Sequence, residues 1–210
     1  KIQRYLDSLE VWLNKWRLSI APNKCSYTIY CGNVPILVKN SISTLKIFSE
    51  KIPVVHNPKY LGVTLDRRLT FAQHTGIIRQ KCLKLLNILK CLAYKKWALD
   101  KNQQIVVYKS LIRSCMEYVP EVLLKSENNV KLLQGIQYQA LRIILKAPLR
   151  SSSKDMHAKA NLETMSTRLK RLNKNYWDKC ETNENELIEK LMMIKTAPIV
   201  VNFLNSQFIE

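Results

Sequence analysis

The sequence predicts an α+β, mainly α fold, in which a small antiparallel sheet is followed by a helical bundle. Three observations carry this. Apolar residues make up 47% of the 210 positions, enough to build a core and too many for a wholly disordered chain. Glycine (4) and proline (7) are scarce, while Leu, Ile and Lys are frequent, which favours helices over extended sheet. Near Leu69 the hydrophobic pattern changes from short alternating runs to long helical stripes.

The first element is a helix over residues 2–17. Its apolar positions Ile2, Leu6, Leu9, Leu13 and Trp16 are spaced four, three, four and three. Pro22, in "LSIAPNKC", breaks it, and "CSYTIYC" (25–31) alternates as a strand. Leu45–Phe48 and Ile52–Val55, separated by Ser49-Glu50-Lys51, read as a hairpin. Lys59–Asp66, "KYLGVTLD", reads as one further short strand with Gly62 in its interior, where a residue without a side chain weakens packing and often marks a bulge. The basic pair Arg67-Arg68 comes immediately after.

From Thr70 the period is helical. Ile78, Cys82, Leu85, Leu89 and Leu92 form one stripe, flanked by Arg79, Lys84, Lys90 and Lys95. Asp100 is placed to cap a second helix, Lys101–Met116, with Ile105, Tyr108, Ile112 and Cys115 inward, and Pro120 interrupts the pattern. A third helix runs over about 128–146, burying Leu133, Ile136, Ala140 and Ile144, and Ala147-Pro148 stops it. "RSSSK" reads as a polar link. A fourth helix, about 164–180, turns Leu169, Leu172 and Tyr176 inward and Lys170, Arg171 and Lys174 outward. A short helix near 187–194 and a poorly defined tail close the chain. The expected divisions are 1–68, sheet-bearing; 69–180, a helical bundle; and 181–210, an extension of unclear role.

Charge narrows the function. Lys and Arg number 34 against 16 acids, a net charge of +18 spread along the chain rather than confined to a tail. Such a field favours a polyanion, nucleic acid first, held on a folded surface. A membrane surface is disfavoured, because the cations do not gather on one amphipathic helix with bulky aromatics opposite. The bland alternative, Lys and Arg merely solubilising helix faces, fits each residue singly but not the whole. The six cysteines form no CxxC pair and His56, His74 and His157 are scattered, so no zinc spacing is present and a reducing, intracellular setting is expected. No run approaches the length of a membrane span.

Catalytic machinery is not legible. Four isolated glycines make no phosphate loop, and no GxSxG or HExxH occurs. Two-metal chemistry needs clustered carboxylates. Asp7 and Glu10 share a helix face but read as surface charge, and Asp66, at the end of its strand, reads as a turn or cap residue.

Several stretches, in order, resemble the C-terminal part of the reverse transcriptase of non-LTR retrotransposons, in particular the jockey-like elements of arthropods. "LEVWLNKWRLSIAPNKCSYTIY" resembles polymerase motif D, with Lys24 at the motif's lysine. "KYLGVTLDRRLTFAQH" resembles motif E, the primer grip, and the lead into the thumb. "VVYKSLIRSCMEYVPEVL" and "LLQGIQYQALRIILKAP" resemble thumb helices, and "MHAKANLETMSTRLKRLNKNYWDK" the segment after them. Together these cover about residues 1–180.

The resemblance implies a palm end and a thumb that bind an RNA–DNA or DNA template–primer duplex. It implies grip residues Tyr60, Leu61 and Gly62, the glycine allowing two backbones to approach. It implies phosphate contacts drawn from Arg67, Arg68, Arg79, Lys81, Lys84, Lys109 and Arg113. Lys24 would lie near the leaving pyrophosphate and act as a general acid, but only in a full-length enzyme; read alone it is a solvated loop residue. The family's catalytic aspartates, in motif A and the FADD-type motif C, match nothing in residues 1–210. This chain is therefore expected to be a fragment that holds no cofactor of its own and does not polymerise by itself, Mg²⁺ being implied only for the full-length enzyme. One further departure is Lys146-Ala147-Pro148, where the family reads Gly-Ala-Pro. The competing readings are a stand-alone basic adaptor derived from such an element, and a decayed copy.

Overall fold

A computed structural model describes residues 2–30, 44–94 and 99–196. The expected strand end at Cys31, Lys95 and the tail beyond 196 lie outside them. The chain divides into two compact units, residues 1–81 and 82–210. Helix and small antiparallel hairpins dominate the described residues, in keeping with the expected mainly α, α+β class.

In the first unit, helix α1 (Ile2–Lys15) packs on the hairpin of β1 (Lys46–Ile47) and β2 (Glu50–Lys51). Polar side chains fix that packing. The Gln3 amide bonds both backbone groups of Lys46, at 2.9 and 3.0 Å, and Glu10 accepts the Phe48 N–H at 2.6 Å. Asp7 accepts from Gln3 at 2.8 Å. Leu13 is the buried residue of α1, whereas Trp16, expected inward, is exposed. The helix has ended by then. Arg17 takes a left-handed φ of 54°, and the Leu18 N–H returns to the Leu13 carbonyl at 2.9 Å, a closing turn that swings Trp16 outward.

The 25–31 strand is not formed as expected. Among the described residues only an isolated parallel bridge, Tyr27 to Val54, is present. The 45–55 hairpin does form, but its turn is Phe48-Ser49 and not 49–51. Both residues have positive φ, 49° and 64°, as a tight type I′ turn requires.

In the second unit, α5 (Pro120–Leu124) and α6 (Glu127–Ile144) pack on each other and on α8 (Met165–Glu181), while α7 (Ser153–Ala160) packs on α6. Helix α2 (Ala72–Tyr94) runs into this unit from the first. Helix α3 (Lys101–Val107) is capped by Asp100, as the sequence predicted, and the cap is a reciprocal box: Asp100 accepts the Gln103 N–H at 2.8 Å and Gln103 accepts the Asp100 N–H at 3.0 Å. It continues through a π-helical turn, Tyr108–Arg113, into α4 (Ser114–Met116). The wider turn shifts the inward register, so Met116 is buried and Cys115 only half-buried. The α2 stripe likewise buries Leu86 and Ala93, not Leu85 and Leu92. The core is Leu86, Leu89, Tyr108, Ile112, Met116, Leu133, Ile136, Leu141, Met165 and Leu169.

Two other expectations are corrected. "RSSSK" is not a link throughout: Ser152 caps α7 through the Asp155 N–H. Tyr176 is 55% exposed. The neighbouring Trp177 makes the tertiary contact instead, donating its indole N–H to Glu121 at 2.9 Å. The closing helix, α9, runs Glu186–Thr196. Among the described residues no helix is long and apolar enough to cross a membrane.

Candidate nucleic-acid interface

The stretch 59–71 is built differently from one strand. Lys59–Tyr60 (β3) pairs antiparallel with Val63–Thr64 (β4), and Leu61-Gly62 is the turn between them. Leu61 has φ 45° and Gly62 φ 84°, so both central residues are left-handed. The glycine is therefore a turn residue. Its backbone angle alone calls for it, because a Cβ is strained there. The turn projects Tyr60, 66% exposed, and Leu61, 74% exposed, into solvent, while Val63 and Thr64 are buried.

Beneath the hairpin the backbone is pinned. The Thr64 N–H donates to His74 Nδ1 at 3.4 Å, and the Leu65 N–H to the Pro58 carbonyl at 2.9 Å. Burial, with the Lys59 ammonium in support, lowers the His74 pKa. Asp66 organises the loop that leads from β4 into α2. Its carboxylate accepts the Thr70 N–H at 3.0 Å, the Thr70 hydroxyl at 2.9 Å and the Phe71 N–H at 2.5 Å. Burial would raise its pKa, but these hydrogen bonds outweigh it and hold the carboxyl below its usual value. The loop needs that support, because Leu69 and Phe71 have φ of 52° and 58°. Asp66 is thus the turn residue the sequence indicated, and it fixes the loop that carries Arg67 and Arg68.

Arg68, Arg79, Lys81, Lys84 and Lys109 are exposed, and Arg67 is half-buried. On α2 they do not form one row. At about 100° per residue, Arg79 and Lys81 stand about 200° apart across the exposed side of the helix, with Lys84 on that arc about 60° from Lys81. Arg113 is occupied. Its Nε lies 2.8 Å from Glu117, which also takes a bidentate pair from Arg168 at 2.7 and 2.9 Å. Arg168 in turn approaches Glu163 at 3.7 Å, and Arg171 closes a fork on Glu163. The Arg171 hydrogen bond leads the causes that lower the Glu163 pKa. Sequence reading missed this network, since Glu117 and Arg168 are 51 residues apart and no local spacing joins them.

Sequence reading also missed a second set of polar contacts. Gln134 accepts the Met165 N–H at 2.8 Å and lies 2.9 Å from His157 Nε2, whose Nδ1 is 3.0 Å from the Leu162 carbonyl. A carbonyl can only accept, so Nδ1 carries the proton and Nε2 accepts from the amide. His157 is structural.

Lys24 ends a 3₁₀ turn, Pro22–Lys24, and is exposed. Among the described residues no group of three or more His, Cys, Asp or Glu is placed to hold a metal ion.

The described residues carry exposed cations, mainly on helices, and a solvent-facing hairpin. Comparison with known proteins makes this specific. The chain is 24% identical over 191 residues to the RNA-directed DNA polymerase from mobile element jockey of Drosophila melanogaster, covering 90% of this chain and 20% of that protein. It is 26% identical over 196 residues to the probable RNA-directed DNA polymerase from transposon BS of the same fly, and 25% identical over 193 residues to that from transposon X-element. The chain spans about 20% of the length of these curated relatives. No family model and no solved structure matches.

Proposed function

We propose that this chain is the motif D, motif E and thumb portion of an RNA-directed DNA polymerase of a non-LTR retrotransposon, and that it grips template–primer duplex without catalysing by itself. The observation that carries the reading is similarity to such polymerases along 90% of the chain. The physical features agree with it. A net charge of +18 supplies the phosphate attraction. The Leu61-Gly62 turn presents backbone and two exposed apolar side chains at a fixed tip, as a primer grip needs. Arg68, Arg79, Lys81, Lys84 and Lys109 are solvent-facing cations, whereas Arg113, held by Glu117, contributes by positioning.

The test is fluorescence anisotropy of the chain with a labelled RNA–DNA duplex across a salt series. Each phosphate contact steepens the slope of log affinity against log salt by about 0.9, so three to five contacts give roughly −2.7 to −4.5. Affinity that does not move with salt overturns the reading.

A further inference from the structure

A cavity of about 320 Å³ opens within the second unit. It is lined by Lys90 and Tyr94 of α2, Gln139, Arg142 and Ile143 of α6, and Ala147 just beyond α6. Lys90 and Tyr94 are four residues apart on one helix, as are Gln139 and Ile143 on the other, so each pair shares a face.

The lining has an unusual chemistry. It holds two cations and no carboxylate. Arg142 Nε is buried and meets no hydrogen-bond partner among the described residues. Lys90 is exposed. Tyr94, 63% exposed, lines the cavity with these cations. Arg142 in the last turn of α6 complements the helix dipole, but that role needs neither the lysine on another helix nor the aromatic.

We propose that this cavity is a binding site for one unpaired nucleotide of a single-stranded nucleic acid. The phosphate lies between the Lys90 ammonium and the Arg142 guanidinium, whose planar fork suits two phosphate oxygens. The base stacks on Tyr94, and the Gln139 amide offers a donor and an acceptor to its edge. The volume is at the lower end of ligand cavities, roughly 300 Å³, which fits a mononucleotide and excludes a duplex. The site carries only groups that any base can meet, so it is tolerant of sequence. In a duplex-holding protein such a site would take a single-stranded overhang or displaced strand. It deepens the proposed nucleic-acid function but uses none of the same residues.

The test measures binding of the whole chain to a labelled dT12 oligonucleotide and, separately, to a blunt duplex. Tyr94→Ala is expected to weaken dT12 binding about tenfold, from the loss of one stacked base, and Tyr94→Phe to restore it. Lys90→Ala is expected to make the salt slope for dT12 shallower by roughly 0.7, one phosphate contact on a single strand. All three side-chain changes leave duplex binding as in the unaltered chain. Tyr94 and Lys90 are exposed, so thermal unfolding of the variants should match the parent. Equal dT12 affinity in Tyr94→Ala and the parent overturns the site, as does duplex binding with no dT12 binding at all, which leaves the duplex reading standing. Binding of dT12 that is lost in Tyr94→Ala, in a chain that does not bind duplex, supports the site and overturns the duplex reading.

Discussion

Replacing Lys146 by glycine tests whether the end of α6 is strained as its geometry says. Lys146 has φ 48°, the left-handed region. Its N–H reaches the Ile143 carbonyl at 3.2 Å, and the Ala147 N–H reaches the Arg142 carbonyl at 3.0 Å. These are the two bonds of a Schellman turn, with lysine where glycine is preferred. The lysine does not change the turn but adopts it. A Cβ in this conformation costs about 1–2 kcal/mol. Glycine relieves that cost and adds about 0.4–1 kcal/mol of freedom to the unfolded chain. The difference favours glycine by about 0.5–1 kcal/mol. Lysine also interacts with the negative end of the helix, worth about 0.3–1 kcal/mol, and any neutral replacement loses this. The comparison that isolates the backbone is therefore Lys146→Gly against Lys146→Ala. Urea unfolding should place the glycine variant about 0.5–1 kcal/mol above the alanine variant, and melting should place it about 1–4 °C higher. An alanine variant as stable as the glycine variant refutes the strain.

Glu117→Ala leaves Arg113 and Arg168 side by side without their shared carboxylate, so urea unfolding should show a loss of about 2–3 kcal/mol, and wild-type stability would mean the network contributes nothing. Gly62→Val puts a β-branched residue at φ 84° and should cost about 1–2 kcal/mol in the same assay while weakening duplex binding if the tip touches the primer. The pH profile rests on three lowered pKa values. His74 binds a proton more readily unfolded than folded, so stability should begin to fall below about pH 6.5. Asp66 and Glu163 act the same way lower down: their contribution is complete above about pH 4–5 and is lost as pH falls through their lowered folded values. Asp66→Asn should flatten the acid limb and His74→Gln the limb near pH 6; melting curves across pH that keep their shape in both variants would contradict the assignment.

Local chemistry was legible in the sequence. Helical stripes, the Asp100 cap and the Asp66 turn depend on residues a few positions apart, and a linear pattern records such relations. The hairpin at 59–64 was half legible. A glycine among alternating residues signalled an irregularity, but a strand interior and a two-residue turn share that signal until the φ of 84° separates them. The inward register past Tyr108 slipped by one residue, because a π turn leaves no mark in the apolar spacing; along α2 Leu85/Leu86 and Leu92/Ala93 are adjacent apolar pairs, and spacing alone does not choose between them.

The sequence by itself determined the charge, the class of fold and the likeness to retrotransposon polymerases, since these are sums and orders of residues. Only the tertiary structure decided which cations are held by carboxylates. Arg113 and Arg168 meet Glu117 across the fold, while Lys90 and Arg142 share a cavity no carboxylate enters. The sign of a side chain's surroundings depends on distances through space, and those exist only after the helices have packed.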